Sequence, residues 1–306
     1  MKRVAHFSLG WSLAASLEEQ EKDKARIKAL LREIGLERKF NPNRNWCPIE
    51  VEVGSRAFDV LIQACGEGDV GHLGLIERRY TSRELESAPL LHWRFTNQAI
   101  EDDYYTLHFK EGQAKGISPY TRDCEVCGAP LEQVRDMWVR VQKMGKRDLS
   151  ATYGWEVILS PRLAQMLRES GLTGFTLRPV WSYRKPYQGN PPLFQLVATS
   201  TLPPMAVPPT EFEEDWPRPR QCAVCSRTSQ YIKHTHWWGR IQYREETPIY
   251  YPRQVLEVAQ DFNRTAEYFG ELRGSQPYLI ISQRAYRWLR EHKIKGWTAE
   301  PIYLVE

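Results

Sequence analysis

The chain has 306 residues, 42% of them hydrophobic, with 42 basic and 38 acidic side chains for a formal charge of +4. That apolar content supports two ordinary cores in a chain that folds unaided, and the weak basic excess lacks the clustered stripe of a dedicated nucleic-acid binder. No stretch approaches 18 uninterrupted apolar residues, so no membrane span is expected.

At the start, Lys2 and Arg3 precede an apolar run that His6, Ser8, Gly10 and Ser12 dilute, and the charged segment 18–26 follows at once. The segment therefore reads as an ordinary strand or helix rather than a secretion signal. From 17 to 36, Ala25, Ile27, Leu30, Leu31 and Ile34 recur at helical intervals, and Gly35 offers a stop. Residues 41–45 form a loop, 49–53 alternate as a strand, and Gly54 turns it. The glycine-rich stretch 66–74 reads as a connector, because a phosphate cradle would need a lysine and a following helix that are missing. Ser82 caps a short helix, and 89–95 alternates as a strand.

Beyond this point the chain repeats itself. Aligning 157–180 with 279–302, at a constant offset of 122 and without a gap, matches nine identical residues, among them Ser160/Ser282, Arg162/Arg284, Gly174/Gly296 and Pro179/Pro301. Each copy predicts a strand, a serine N-cap, a helix of about ten residues, a turn and a second strand. Lys293 stands where the first copy has Gly171, so the second helix must end differently or accept strain. A further helix is expected from about 253 to 268.

Two cysteine pairs precede these copies, Cys124 with Cys127 and Cys222 with Cys225, each with a two-residue spacer. Paired thiolates at that spacing turn onto one metal ion, and four of them make a closed tetrahedral zinc site with bonds of about 2.3 Å. Free buried thiols, a disulfide redox pair and separate metal sites are the competing readings. Gly128 suits the turn after the first pair, whereas Ser226 follows the second and fits it less well. Cys47 and Cys65 have no metal-spaced partner and read as packing thiols. Metal-spaced thiols suit a reducing cytoplasm.

No catalytic arrangement stands out, so the chain is not read as an enzyme. The acidic cluster 211–215 lies among prolines and reads as an exposed linker. Eleven tryptophans and fifteen tyrosines, many beside basic residues, exceed what modest cores take. Such residues anchor protein interfaces, and Trp181, Tyr183, Arg184, His234, His236, Trp237, Trp238 and Arg240 are the candidate partner surface. His234 and His236 are also candidates for a metal, on one face of a strand.

The two cysteine pairs, with the segments from Ile158 through Phe175 and from Ile280 through Trp297, resemble the double-CXXCG motif proteins of myxobacteria, a group that includes immunity proteins paired with swarm-inhibition toxins. The likeness spans roughly 122–305, and Ser226 departs from the motif's glycine. The resemblance implies a protein that neutralises a cognate toxin by direct binding, without chemistry of its own. The expected architecture is α+β. An N-terminal region, 1–120, precedes a domain, 121–306, in which a structural zinc on Cys124, Cys127, Cys222 and Cys225 joins two related strand–helix–strand units. A nucleic-acid-binding zinc ribbon and an enzyme with a purely structural zinc are the alternatives.

Overall fold

The computed structural model of the protein describes residues 1–10, 16–66, 71–96, 124–126, 133–139, 144–152, 155–182, 191–212, 221–226, 231–233, 235–238, 240–270 and 275–306. Cys127, Gly128, Tyr183, Arg184 and His234, each singled out above, lie outside them. The fold is α+β, in two compact units: Met1–Thr81 with Lys233–Thr247, and Ser82–Ile232 with Pro248–Glu306.

In the first unit, β1 (Lys2–Gly10) alternates so that Ala5, Phe7 and Leu9 are buried. Helix α1 (Leu17–Glu33) starts at a capping box in which Ser16 and Glu19 satisfy each other's backbone N–H groups. It ends before Gly35, whose φ of 74° ends the helix in the left-handed conformation, as expected. Strand β2 (Trp46–Glu52), helix α2 (Arg56–Gly66) and strand β3 (Gly71–Arg79) follow, with β1 paired antiparallel between β2 and β3. Gly71 to Gly74 thus belong to a strand rather than to the expected connector. Ile27 and Leu31 of α1 and Phe58 and Leu61 of α2 close the core over Phe7, Ile49 and Leu73. Cys47 and Cys65 are buried in it. Burial pushes both thiols up, that of Cys65 to about 11, so they behave as packing groups.

The second unit opens with α3 (Ser82–Ser87) and β4 (Leu90–Phe95), and continues through β5 (Met137–Val139), β6 (Leu149–Ala151), β7 (Val157–Leu159), α4 (Pro161–Glu169), β8 (Phe175–Ser182), β9 (Leu193–Ala198) and β10 (Ser200–Thr201). The chain then contributes a hairpin, β11 (Thr235–Trp238) and β12 (Ile241–Arg244), to the first unit, where β12 lies beside β3 and Tyr243 is buried in the core. It completes the second unit with β13 (Tyr250–Pro252), α5 (Val255–Val258), β14 (Phe262–Arg264), β15 (Leu279–Ser282), α6 (Gln283–Glu291), β16 (Trp297–Pro301) and β17 (Tyr303–Val305). The helix expected over 253–268 is only one turn, α5, before β14 takes over.

These pairings move the domain boundary expected at 120. Leu90–Phe95, assigned above to the N-terminal region, hydrogen-bonds between β15 and β16 in the interior of a sheet of the second unit. The domain expected over 121–306 likewise gives up its hairpin to the first unit.

The segments aligned at offset 122 occupy like places in two five-stranded sheets, ordered β5-β8-β9-β7-β6 and β10-β14-β15-β4-β16. In one, Ile158 and Arg178 both lie opposite Gln195. In the other, Ile280 and Glu300 both lie opposite His92. The helices begin alike as well. Ser160 Oγ accepts from the Leu163 N–H and donates to Asp148, which also holds Arg162. Ser282 Oγ accepts from the Ala285 N–H and donates to Asp261, which holds Arg284. The expected serine caps are therefore anchored by aspartates that the gapless alignment did not reach. Leu163 and Leu167 of α4 and Leu196 of β9 share one core with Leu91 of β4, Phe262 of β14, and Ala285 and Leu289 of α6.

At the two helix ends, Gly171 has φ 69° and Lys293 has φ 55°. Lys293 accepts the strain instead of closing the helix another way. A non-glycine residue there costs about 1 kcal/mol. Lys293→Gly is expected to raise stability by about 0.5 kcal/mol once the greater freedom of the unfolded glycine is subtracted, seen as a higher midpoint in urea unfolding.

His92 is buried on β4, stacked on Tyr278 at 4.4 Å, with Arg94 two residues along and bonded to Glu300 at 2.6 Å. Burial first, and the Arg94 charge second, hold its imidazole well below its ordinary 6.5. A depressed histidine contributes stability that is present above the unfolded value and is lost as pH falls. Stability should therefore drop as pH falls below about 6.5. His92→Gln, which installs the residue found at the matching place in the first sheet, should flatten that decline in a pH series of thermal unfolding curves.

Candidate metal centre

Cys222 begins a tight turn over Ala223, Val224 and Cys225, closed by the Ser226 N–H donating to the Cys222 carbonyl at 2.9 Å. Ser226 has φ 56°, the left-handed conformation that favours glycine. The departure from the glycine of the motif is therefore one of residue type, because the backbone takes up the turn regardless. The turn aims the Cys225 and Val224 N–H groups at the Cys222 sulfur, and these hydrogen bonds push its thiol down to about 6. A thiol so prepared readily exists as the thiolate, the form that ligates metal.

Cys124 comes from a second turn, nearly a hundred residues earlier, yet its sulfur lies 3.6 Å from that of Cys222. This is far beyond a disulfide bond of about 2.05 Å. It is close to the roughly 3.8 Å expected between sulfurs sharing a tetrahedral zinc. The ligand atoms of Cys124, Cys222 and Cys225 all lie within 4.8 Å of one another. Cys124 and Cys222 are buried and Cys225 is half-buried, whereas Val126 and Val224, at matching places in the two turns, are 65% and 64% exposed. Each turn thus points sulfur inward and its third residue outward. The three thiols can hold a metal ion, and their donor type suits a soft or borderline cation rather than Mg²⁺ or Ca²⁺.

The remaining sequence candidates divide between the units. Trp181 lies on β8, where its indole N–H donates to Asp136 at 3.0 Å and its ring sits 6.4 Å from Trp138. His236, on β11 of the first unit, stacks on Tyr243 and bonds through Nε2 to the Glu245 carbonyl. Arg240 is exposed between β11 and β12, and Trp237 and Trp238 lie on β11. Sequence reasoning missed Trp138, which is 49% exposed beside Trp181. Its signal was a tryptophan in an alternating apolar run just after the first cysteine pair. Phe212, in the segment read as a linker, pairs with Ile232, and Thr210 is buried. That part of the linker is packed chain, while 213–220 lie outside the described residues.

No helix among the described residues is long and apolar enough to cross a membrane. No model of a known protein family matches the chain, and comparison with curated proteins gives no match.

Proposed function

We propose that the protein is a zinc-stapled binding protein, and that it acts by holding a protein partner rather than by chemistry of its own. The observation that carries the metal part is the convergence of sulfurs from Cys124, Cys222 and Cys225, brought together from two distant turns. Cys127 is the proposed fourth ligand, since its spacing from Cys124 equals that of Cys225 from Cys222. Four thiolates close the coordination sphere, so the ion's role is structural. Bound zinc supplies folding free energy to the segments it joins.

The resemblance to the double-CXXCG proteins supports a bacterial immunity role, with a cognate toxin as the partner and the cytoplasm as the place of action. Exposed aromatic side chains such as Trp138, backed by Trp181, are the kind of rigid anchor such binding uses. Native mass spectrometry before and after chelation tests the metal: one zinc per chain is expected, and a chain that never carries zinc overturns it. Co-expression with the product of the adjacent reading frame tests the partner. Protection from growth arrest together with a stable complex supports immunity; arrest that proceeds unchanged in its presence defeats it.

A further inference from the structure

The two matched sheets differ in the origin of the strand that lies between the two strands of each strand–helix–strand segment. In the first sheet it is β9, which follows β8; in the second it is β4, which precedes everything else in either sheet. Yet β4 and β9 are equivalent in detail. Pro89-Leu90 and Thr96 match Pro192-Leu193 and Thr199 at one constant spacing. The Thr96 N–H donates to the Gly296 carbonyl at 3.0 Å, and the Thr199 N–H donates to the Gly174 carbonyl at 2.9 Å. Gly174 and Gly296 are themselves a matched pair of the alignment.

Each of these strands stands upstream of a cysteine pair, β4 before Cys124 and β9 before Cys222. The correspondence continues beyond the pairs. Strand β5 runs parallel to β8 with Trp138 opposite Trp181, as β13 runs parallel to β17 with Tyr250 opposite Tyr303. Strand β6 pairs with β7 as β14 pairs with β15, in the same register. The order of matching parts is therefore the same along 90–182 and 193–305: strand, cysteine pair, parallel strand, antiparallel strand, strand–helix–strand. The extra length between Cys225 and β13 carries the hairpin that joins the first unit.

We infer that 90–182 and 193–305 are two copies of one unit that have exchanged their first strands, and that the metal shared by their cysteine pairs locks the exchange. Strand β4 belongs to the first copy but completes the sheet of the second, and β9 belongs to the second but completes the sheet of the first. The metal part rests on the zinc reading above; the exchange stands on strand pairing alone. Both copies contribute a cysteine turn to the one ion, so the ion bridges two bodies already interlocked through their exchanged strands. An interlock of this kind forms equally well between two molecules, because the contacts are the same whichever chain supplies the strand. The partner it admits is a second copy of this chain, and the metal disfavours that outcome by fixing the two copies of one chain to each other.

The test uses the whole chain and a pair on the sheet surface, Arg94 and Thr298, which face each other across β4 and β16. The double variant Arg94→Cys with Thr298→Cys should form an internal disulfide, located by peptide mapping. Arg94→Cys with Thr176→Cys, which places the second thiol at the matching site of the first copy's own sheet, should not. A disulfide from 94 to 176 would overturn the exchange. For the lock, the single variants Arg94→Cys and Thr298→Cys are mixed at high concentration, either with zinc present throughout or with chelation followed by zinc return. Disulfide-linked heterodimer is expected at least tenfold more abundant after chelation, and equal yields with and without chelation would overturn the lock. If native mass spectrometry finds no zinc, the metal reading fails, while the 94–298 crosslink still decides the exchange.

Discussion

Cys222→Ser is expected to abolish cooperative unfolding of the second unit at ordinary temperature. Serine is a poor zinc ligand, and Cys222 also receives the two N–H groups that shape its turn. Structural zinc in small domains contributes on the order of 10 kcal/mol, comparable with the whole stability of a domain, about 5–15 kcal/mol. Even a fraction of that contribution, lost here, leaves little reserve. Circular dichroism melts of the wild type with and without chelator, and of the variant, provide the check. The chelated wild type and the variant should coincide, and a variant that melts with the untreated wild type would show that the cluster holds no stabilising ion.

Gly174→Ala is the second large effect. Gly174 has φ 85°, and a Cβ there would lie 2.2 Å from the Phe262 carbonyl oxygen and 2.9 Å from Gln260 Cβ. The dihedral penalty and the tightest contact fall on backbone, and Gln260 Cβ is fixed to it, so none of them can rotate away as the end of a long side chain does. The position lies where the two sheets meet: the Phe262 N–H donates to the Thr173 carbonyl at 3.0 Å, and Asp261 accepts from the Thr173 N–H at 2.9 Å. Separating them would strip Asp261 of one of its donors and open the shared core beside Phe262. A loss of about 3 kcal/mol or more is expected, measured as the shift in urea midpoint. Gly35→Ala, at a left-handed helix end with open space around the added carbon, should cost only about 1 kcal/mol. A Gly174→Ala cost no greater than that would deny the tight contact.

Much of this was legible because local chemistry set it. The helical spacing over 17–36, the stop at Gly35 and the twin serine caps are short-range signals, and each element appears where those signals fall. The cysteine spacing pointed to a metal, and the sulfurs of three of the four proposed ligands do converge. What escaped were long-range pairings. Nothing near Leu90–Phe95 states that its partners lie almost two hundred residues downstream. Asp148 and Asp261 escaped because they stand at unequal distances before their serines, so no gapless alignment could join them. The segment 253–268 was misjudged because the pairing of Phe262–Arg264 with β15 overrides the local helical tendency after α5.

The hairpin lent by 233–247 means that the chain passes from one unit to the other three times, after Thr81, after Ile232 and after Thr247. Cutting the protein at the first of these crossings would not liberate an independent N-terminal piece: β3 would be left with one bare side, and the core would lose the ring of Tyr243. An uncovered strand of that kind is a template for self-association. Truncation experiments meant to isolate residues 1–81 should therefore yield aggregates, and a faithful excision has to graft the distant loop back.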